Sequence, residues 1–208
     1  MSDHCHDHAP VFTGASTTYR RALWAVIILN ATMFVVEVAA GVAARSMALQ
    51  ADALDFLADS ATYAISLWVI ARPQAWRARA ALLKGLSLAA MGLWVFGATV
   101  WRVFVDGVPE PLVMGTVGIL ALGANVASVL LLLRYREGDA NVRSVWLCSR
   151  NDAIGNLAVV AAASGVFATG TAWPDLAVAA IMASLFLTSS ARIVRQALGE
   201  IAAPASGG

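Results

Sequence analysis

The chain has 208 residues, of which 60% are hydrophobic and 13% charged, and its formal net charge is +1. Its mean hydropathy is +0.73. A soluble chain carries about 25% charged residues, so this one has too few charges to cover a surface in water. The near-neutral balance without a basic block argues against a nucleic-acid partner. Two distant cysteines exclude a disulfide-rich secreted class, so a lipid bilayer is the expected environment.

Six apolar segments approach or exceed the roughly 20 residues that a helix needs to cross a bilayer. Short joints containing Arg, Gly and Pro separate them. We expect the spans at residues 21–44, 47–71, 80–104, 111–133, 144–168 and 174–197. The strands of a membrane β-barrel are only about 10 residues long and alternate in polarity, whereas these segments are longer and do not alternate. The predicted fold is therefore all-α, a polytopic membrane bundle of six transmembrane helices.

The cations of the joints lie mostly on one side of the predicted bundle. Eleven share that side: Arg20, Arg21, Arg72, Arg77, Arg79, Lys84, Arg134, Arg136, Arg143, Arg192 and Arg195. Arg45 and Arg102 lie on the other side, and Arg150 lies within the fifth span. Because cytoplasmic joints carry the excess of Lys and Arg, both termini are expected in the cytoplasm, N-in and C-in.

Three parts are expected along the chain: a disordered cytoplasmic tail at 1–19, the transmembrane domain at 20–198, and a short disordered tail at 199–208. The first tail has no apolar core, so we do not expect a cleavable signal peptide. It is rich in side chains that bind metals, which suits auxiliary metal capture, although a flexible tail with no role fits the same pattern. These side chains are His4, Cys5, His6 and His8.

Acidic residues lie within the predicted spans, among them Glu37, Asp52, Asp55, Asp59 and Asp152. A carboxylate at the bilayer centre costs at least about 2.5–3.5 kcal/mol on insertion scales, so each one is a functional candidate. The three aspartates of the second helix follow a spacing of three and four residues, which places them on one face. Like charges on one face repel each other strongly in a low dielectric. A metal ion or protons should therefore lie among them.

The fifth helix carries a second pair with helical spacing, Cys148 and Asp152. The second and fifth helices run antiparallel, and counting about 1.5 Å per residue places both pairs at overlapping depths in the cytoplasmic half. Asp55, Asp59, Cys148 and Asp152 could then form a tetrahedral site for Zn²⁺, Cd²⁺ or Co²⁺. Mg²⁺ and Ca²⁺ prefer six or more oxygen ligands. The alternative is that Cys148 is a small core residue and that an aspartate only bonds within the packing.

Residues 30–59 follow the pattern N-x₆-E-x₃-G-x₄-S-x-A-L-x-A-D-A-x-D-x₃-D. Its eleven fixed positions are Asn30, Glu37, Gly41, Ser46, Ala48, Leu49, Ala51, Asp52, Ala53, Asp55 and Asp59. This pattern closely resembles the first two helices of the cation diffusion facilitator family of divalent-metal transporters. In that family, an H/D-x₃-D pair on helix two and another on helix five form the transport site. The pairs correspond here to Asp55 with Asp59 and to Cys148 with Asp152.

The resemblance implies a homodimer that carries Zn²⁺-like ions out of the cytoplasm in exchange for protons. The metal is then the substrate, with no resident cofactor and no enzymatic reaction, and a bacterial inner membrane is the expected location. Three departures are expected to matter: Cys148 replaces His or Asp, Arg150 lies between the presumed ligands but on another face, and the family's C-terminal cytoplasmic domain is missing. Further polar residues are candidates for supporting the ligands or relaying protons. These are Asp52, Asn30, Glu37, Asn151 and Asn156, with Asn151 also an alternative ligand.

A transport cycle follows as a hypothesis from this ligand set. Without metal, the carboxyl groups hold protons, and an arriving metal ion displaces them because metal ligands must be deprotonated. Rocking of the helices exposes the site to the other side, where protons rebind and release the metal. Competition for the same residues then couples the two fluxes.

Two other functions compete with transport. A metalloenzyme within the membrane would need an open coordination position and a general base, commonly in an H-E-x-x-H motif, but the chain has no His beyond residue 8. A non-transporting metal-binding partner or sensor is favoured by Cys148 and Arg150. Three carboxylates at costly positions argue against that second alternative.

Overall fold

The computed structural model describes residues 16–69, 74–105, 107–136 and 140–202. These ranges form six α-helices. They are α1 (Thr17–Ala43), α2 (Met47–Val69), α3 (Gln74–Val103), α4 (Pro111–Leu132), α5 (Ala140–Thr169) and α6 (Trp173–Ala202). A short 3₁₀ turn at Leu133–Tyr135 continues α4. The described residues contain no strand, and the predicted all-α six-helix membrane bundle is confirmed.

Five helices in the described part of the chain are long and apolar enough to cross a membrane. The sixth, α2, has 23 residues but carries three aspartates near its centre. Helices α3 and α5 begin several residues before their predicted spans, because the polar turn at each start is helical although it is not apolar. The predicted tail residues His4, Cys5, His6 and His8 lie outside the described residues, so their role stays a prediction.

The outer surface of the bundle is apolar. Large side chains such as Leu83, Leu112 and Phe167 are more than 60% exposed. A soluble protein would bury such side chains, whereas lipid solvates them. Trp101 and Trp173 are also exposed, near the ends of α3 and α6, where indole rings suit the boundary between lipid and water.

Helix α2 lies in the interior, in contact with α1, α3, α5 and α6. The most extensive packing joins α3 to α6, where small residues allow close approach. A Cβ added at Gly85 would lie 2.8 Å from Cγ2 of Val194. The Ser190 hydroxyl donates to the Gly85 carbonyl at 2.7 Å, so a hydrogen bond fixes the same contact.

A tight turn joins α1 to α2 and explains part of the sequence pattern. Arg45 has a φ of 55°, an uncommon conformation for a residue with a side chain. Two long-range hydrogen bonds hold this turn. Arg102 Nη2 donates to the Arg45 carbonyl at 2.7 Å, and the Glu110 amide donates to the Ala44 carbonyl at 2.9 Å. A Cβ at Gly41 would lie 2.9 Å from Cγ of Gln50, so the pattern requires glycine there.

The N-terminus of α2 is capped by a carboxylate from α6. Oδ1 of Asp175 accepts from the Ser46 hydroxyl at 2.6 Å and from the Ala48 amide at 3.0 Å. Oδ2 accepts from the Met47 amide at 2.8 Å, and the Ser46 oxygen accepts from the Leu49 amide at 3.0 Å. Three amides that the helix itself leaves unbonded are thus satisfied away from water. The negative charge also complements the positive end of the α2 dipole.

Replacing Asp175 with Ala should destabilise the fold, because it leaves buried donors unpaired at about 1–3 kcal/mol each. The measurement is thermal unfolding of the purified protein in detergent, followed by circular dichroism. Glu110→Ala is the matched control, since Glu110 is the exposed N-cap of α4 and its side chain makes no capping hydrogen bond. Equal midpoints for the two variants would contradict the importance of the Asp175 cap.

Candidate metal site

Helices α2, α3, α5 and α6 surround a cavity of about 520 Å³ within the bundle. Three carboxyl side chains line it: Asp55 and Asp59 from α2 and Asp152 from α5. Asn151 and Lys84 also line the wall, and most of the remaining lining is apolar. The structure therefore brings the acidic side chains of both helices to one cavity within the bundle, where charge is less screened than in bulk water.

The three carboxyl groups of the cavity interact through Asp152, whose side chain lies within hydrogen-bonding reach of both Asp55 and Asp59. Among the described residues, no group of three or more His, Cys, Asp or Glu side chains is arranged so that it could hold a metal ion. A hydrogen bond between two of these carboxyl groups would require a proton on one of them.

The fourth ligand suggested by the sequence, Cys148, has a side chain outside the described residues. The backbone of α5 places its position one turn before Asp152. Its role as a ligand stays a prediction.

Sequence reasoning missed a hydrogen-bonded chain that holds Asp59. The Tyr63 hydroxyl donates to Oδ2 of Asp59, and it lies 3.1 Å from the Ser149 hydroxyl on α5. Because the Tyr63 proton goes to Asp59, Ser149 is the donor to Tyr63. Both side chains are almost completely buried, Tyr63 at 0% and Ser149 at 1% exposure. The signal was present, since Tyr63 follows Asp59 by one helical turn on the aspartate face.

Sequence reasoning also did not place Lys84 at the cavity. By sequence it belongs with the cations of the cytoplasmic joints, yet in the structure it lies in the cavity wall. Its positive charge acts favourably on Asp59. The signal here was its position, since Lys84 falls inside the predicted span at residues 80–104.

Asp52, the first aspartate of the α2 face, is directed elsewhere. Its side chain is 2% exposed and its carboxyl group faces that of Glu37 on α1, which is completely buried. Asp55 and Asp59 line the cavity, whereas Asp52 pairs with α1. One proton shared between Glu37 and Asp52 removes the repulsion of two adjacent charges.

The remaining polar candidates are divided between the interior and the surface. Asn30 on α1 and Asn156 on α5 are buried, and their amide groups have no hydrogen-bond partner among the described residues. Arg150 is exposed, with its guanidinium 5.5 Å from the centre of the Trp146 ring. It donates to Oδ1 of Asn151 at 3.3 Å. The Arg150 charge therefore lies outside the cavity, and a hydrogen bond joins it to Asn151 in the cavity wall.

Comparison with known proteins agrees with this architecture. Residues 23–202 match the family described as the cation efflux transmembrane domain. The metal cation efflux system protein CzcD of Cupriavidus metallidurans is 29% identical over 191 residues, covering 86% of this chain and 58% of that protein. The zinc transporter ZitB of Pectobacterium atrosepticum is 28% identical over 213 residues, covering 94% of this chain and 64% of that protein.

A third relative, the cadmium, cobalt and zinc/H(+)-K(+) antiporter of Bacillus velezensis, is 24% identical over 211 residues, covering 94% of this chain and 65% of that protein. The chain thus spans about 58 to 65% of the length of these three relatives. The family match covers nearly all of the helical bundle, including every helix that lines the cavity. The chain belongs to the cation diffusion facilitator family, whose members share this cation efflux transmembrane domain.

Proposed function

We propose that this chain carries divalent heavy-metal cations, Zn²⁺ or the similar Cd²⁺ and Co²⁺, out of the cytoplasm in exchange for protons. The observation that carries the proposal is the convergence of Asp55, Asp59 and Asp152 on one cavity inside a membrane bundle. Family membership supports it, and so do relatives named for zinc, cadmium and cobalt transport. One of these relatives is named an H(+)-K(+) antiporter, which supports the involvement of protons.

The chemistry of the cavity favours a divalent cation. Its carboxyl groups lie within hydrogen-bonding reach of one another through Asp152, and a metal ion must displace any protons that they hold in order to bind. Three carboxylate oxygens with the Cys148 thiolate would give a tetrahedral set suited to Zn²⁺ or Cd²⁺. Binding of metal and binding of protons are then mutually exclusive, and this exclusion couples their fluxes.

The Tyr63 and Ser149 hydroxyls would orient Asp59 for this exchange. Their bonds connect α2 to α5, the two helices that supply the ligands. Loss of a group that holds a ligand in place typically lowers metal affinity or activity about 10–100-fold. Asp52, Glu37, Asn30 and Asn156 lie in the buried interior, where they would carry protons or support α1 and α5.

Alternating access in this proposal comes from rocking of the helices around the cavity. The excess of cations on one side supports cytoplasmic termini in a bacterial inner membrane. A homodimer and a metal-capturing role for residues 1–19 are further parts of the proposal, carried by family membership and by the His and Cys content of that segment.

Replacing Asp152 with Asn should reduce metal-driven proton flux at least about 100-fold, because Asp152 interacts with both other carboxyl groups and its loss removes a charged ligand. The measurement uses purified protein in liposomes with a trapped pH dye, with Zn²⁺, Cd²⁺, Co²⁺ and Mn²⁺ added in turn. Glu110→Gln, which removes an exposed carboxylate outside the cavity, should behave as wild type. Wild-type flux in Asp152→Asn would show that the site is wrongly assigned, and no flux in any protein would favour the sensor.

Replacing Cys148 with Ser tests the fourth ligand. A soft thiolate favours Cd²⁺ over harder ions, so its loss should weaken Cd²⁺ binding about tenfold more than Mn²⁺ binding. Dissociation constants for the two ions, measured by equilibrium dialysis of wild type and variant, give the comparison. An unchanged ratio would remove Cys148 from the ligand set.

Replacing Tyr63 with Phe should weaken Zn²⁺ binding about tenfold, because Asp59 loses the bond that orients it. Tyr19→Phe is the matched control, since Tyr19 is equally buried in the same apolar cluster as Tyr63 but belongs to α1. Zn²⁺ affinity is measured by calorimetry in detergent. Equal affinities in the two variants would mean that the Tyr63 hydroxyl serves packing alone.

A further inference from the structure

Lys84 is unusual both in its identity and in its position. The chain has fourteen cationic residues, and Lys84 is the only lysine among them. Its side chain is half-buried and lies in the wall of the carboxyl-lined cavity, next to the place proposed for the metal. Its charge acts on Asp59, one of the proposed ligands. The Lys84 ammonium group is therefore a fixed positive charge in the same cavity that a metal cation would enter.

The Lys84 ammonium group offsets one of the negative charges that Asp55, Asp59 and Asp152 bring to the cavity. Without Lys84, the carboxylates would attract a divalent ion with no opposing positive charge beside them, and the metal would be held more tightly. A conducting or transporting site must bind its ion strongly enough to admit it and weakly enough to release it.

The choice of lysine fits this role better than arginine. An ammonium group is a compact point charge, whereas a guanidinium group forms a rigid two-pronged bond with a carboxylate. An arginine here could clamp a ligand and close the site, while a lysine repels the metal without occupying both oxygens of an aspartate.

We propose that Lys84 sets the affinity of the cavity for divalent cations, weakening their binding so that they can be released. This inference rests on the proposed metal-transport function and adds a residue that tunes it. Lys84 acts through the field in the cavity and is not itself a ligand.

The experiment measures Zn²⁺ dissociation constants by equilibrium dialysis of the purified full chain in detergent, at one fixed pH. Lys84→Gln should bind Zn²⁺ at least about tenfold more tightly than wild type, because a repelling charge has been removed from a partly buried site. In liposomes its turnover at saturating Zn²⁺ should fall, since release becomes slower. Lys84→Arg keeps the charge and should bind no more tightly than wild type.

Arg79→Gln is the matched control, because it removes one positive charge from the same helix at an exposed position five residues earlier. It should leave Zn²⁺ affinity unchanged. If Lys84→Gln matches Arg79→Gln, Lys84 merely extends toward the headgroups and the inference is overturned. Weaker Zn²⁺ binding in Lys84→Gln, with normal elution in size-exclusion chromatography, overturns it as well.

Asp152→Asn separates this inference from the proposed function. If wild type binds Zn²⁺ and Asp152→Asn does not, the measured binding takes place in the cavity. An unchanged Zn²⁺ affinity in Lys84→Gln would then refute the role of Lys84 and leave the proposed function standing. If wild type and Asp152→Asn bind Zn²⁺ equally, or neither binds, the proposed function fails and this inference fails with it.

Discussion

A carboxyl group inside a bilayer requires a proton, a cation or hydrogen-bond donors beside it, and this requirement organises the whole bundle. Each buried acid in the described residues meets it in a different way. Asp152 lies within hydrogen-bonding reach of Asp55 and Asp59, Glu37 faces Asp52, and Asp175 accepts hydrogen bonds from the amides and hydroxyl at the start of α2. The first group borders a cavity of about 520 Å³, large enough to admit an ion. A divalent ion would satisfy the same requirement there, which is why that group suits transport.

The position of α2 makes this arrangement workable. This helix carries three acids and would be poorly solvated by lipid, but contacts with four other helices shield it. Its start is fixed by the turn at Arg45 and by Asp175, and its later half is fixed to α5 through Tyr63 and Ser149. The aspartates between these two attachments are therefore presented at a defined depth and angle, as an ion site in a low dielectric requires.

Much of the fold follows from sequence, because six long apolar segments have few alternatives in a bilayer. The grouping of Asp55, Asp59 and Asp152 was also accessible, since helical spacing fixes which residues share a face. Contacts between distant segments were not accessible: no local pattern joins Asp175 to Ser46, 129 residues apart. Sequence reasoning used only the charge of Lys84, which predicts the side of the membrane on which it lies and not the contacts of its side chain. The Cys148 side chain lies outside the described residues and remains a prediction.

The cap of α2 by Asp175 has a consequence for biogenesis. Residues of α2 leave the ribosome well before Asp175, which lies 129 residues after Ser46. During that interval the helix that carries three aspartates has N-terminal amides without their final acceptor, so its native cap forms only after α6 has been made. A chain truncated before α6 would therefore leave the first amides of this acidic helix without the Asp175 carboxylate that caps them.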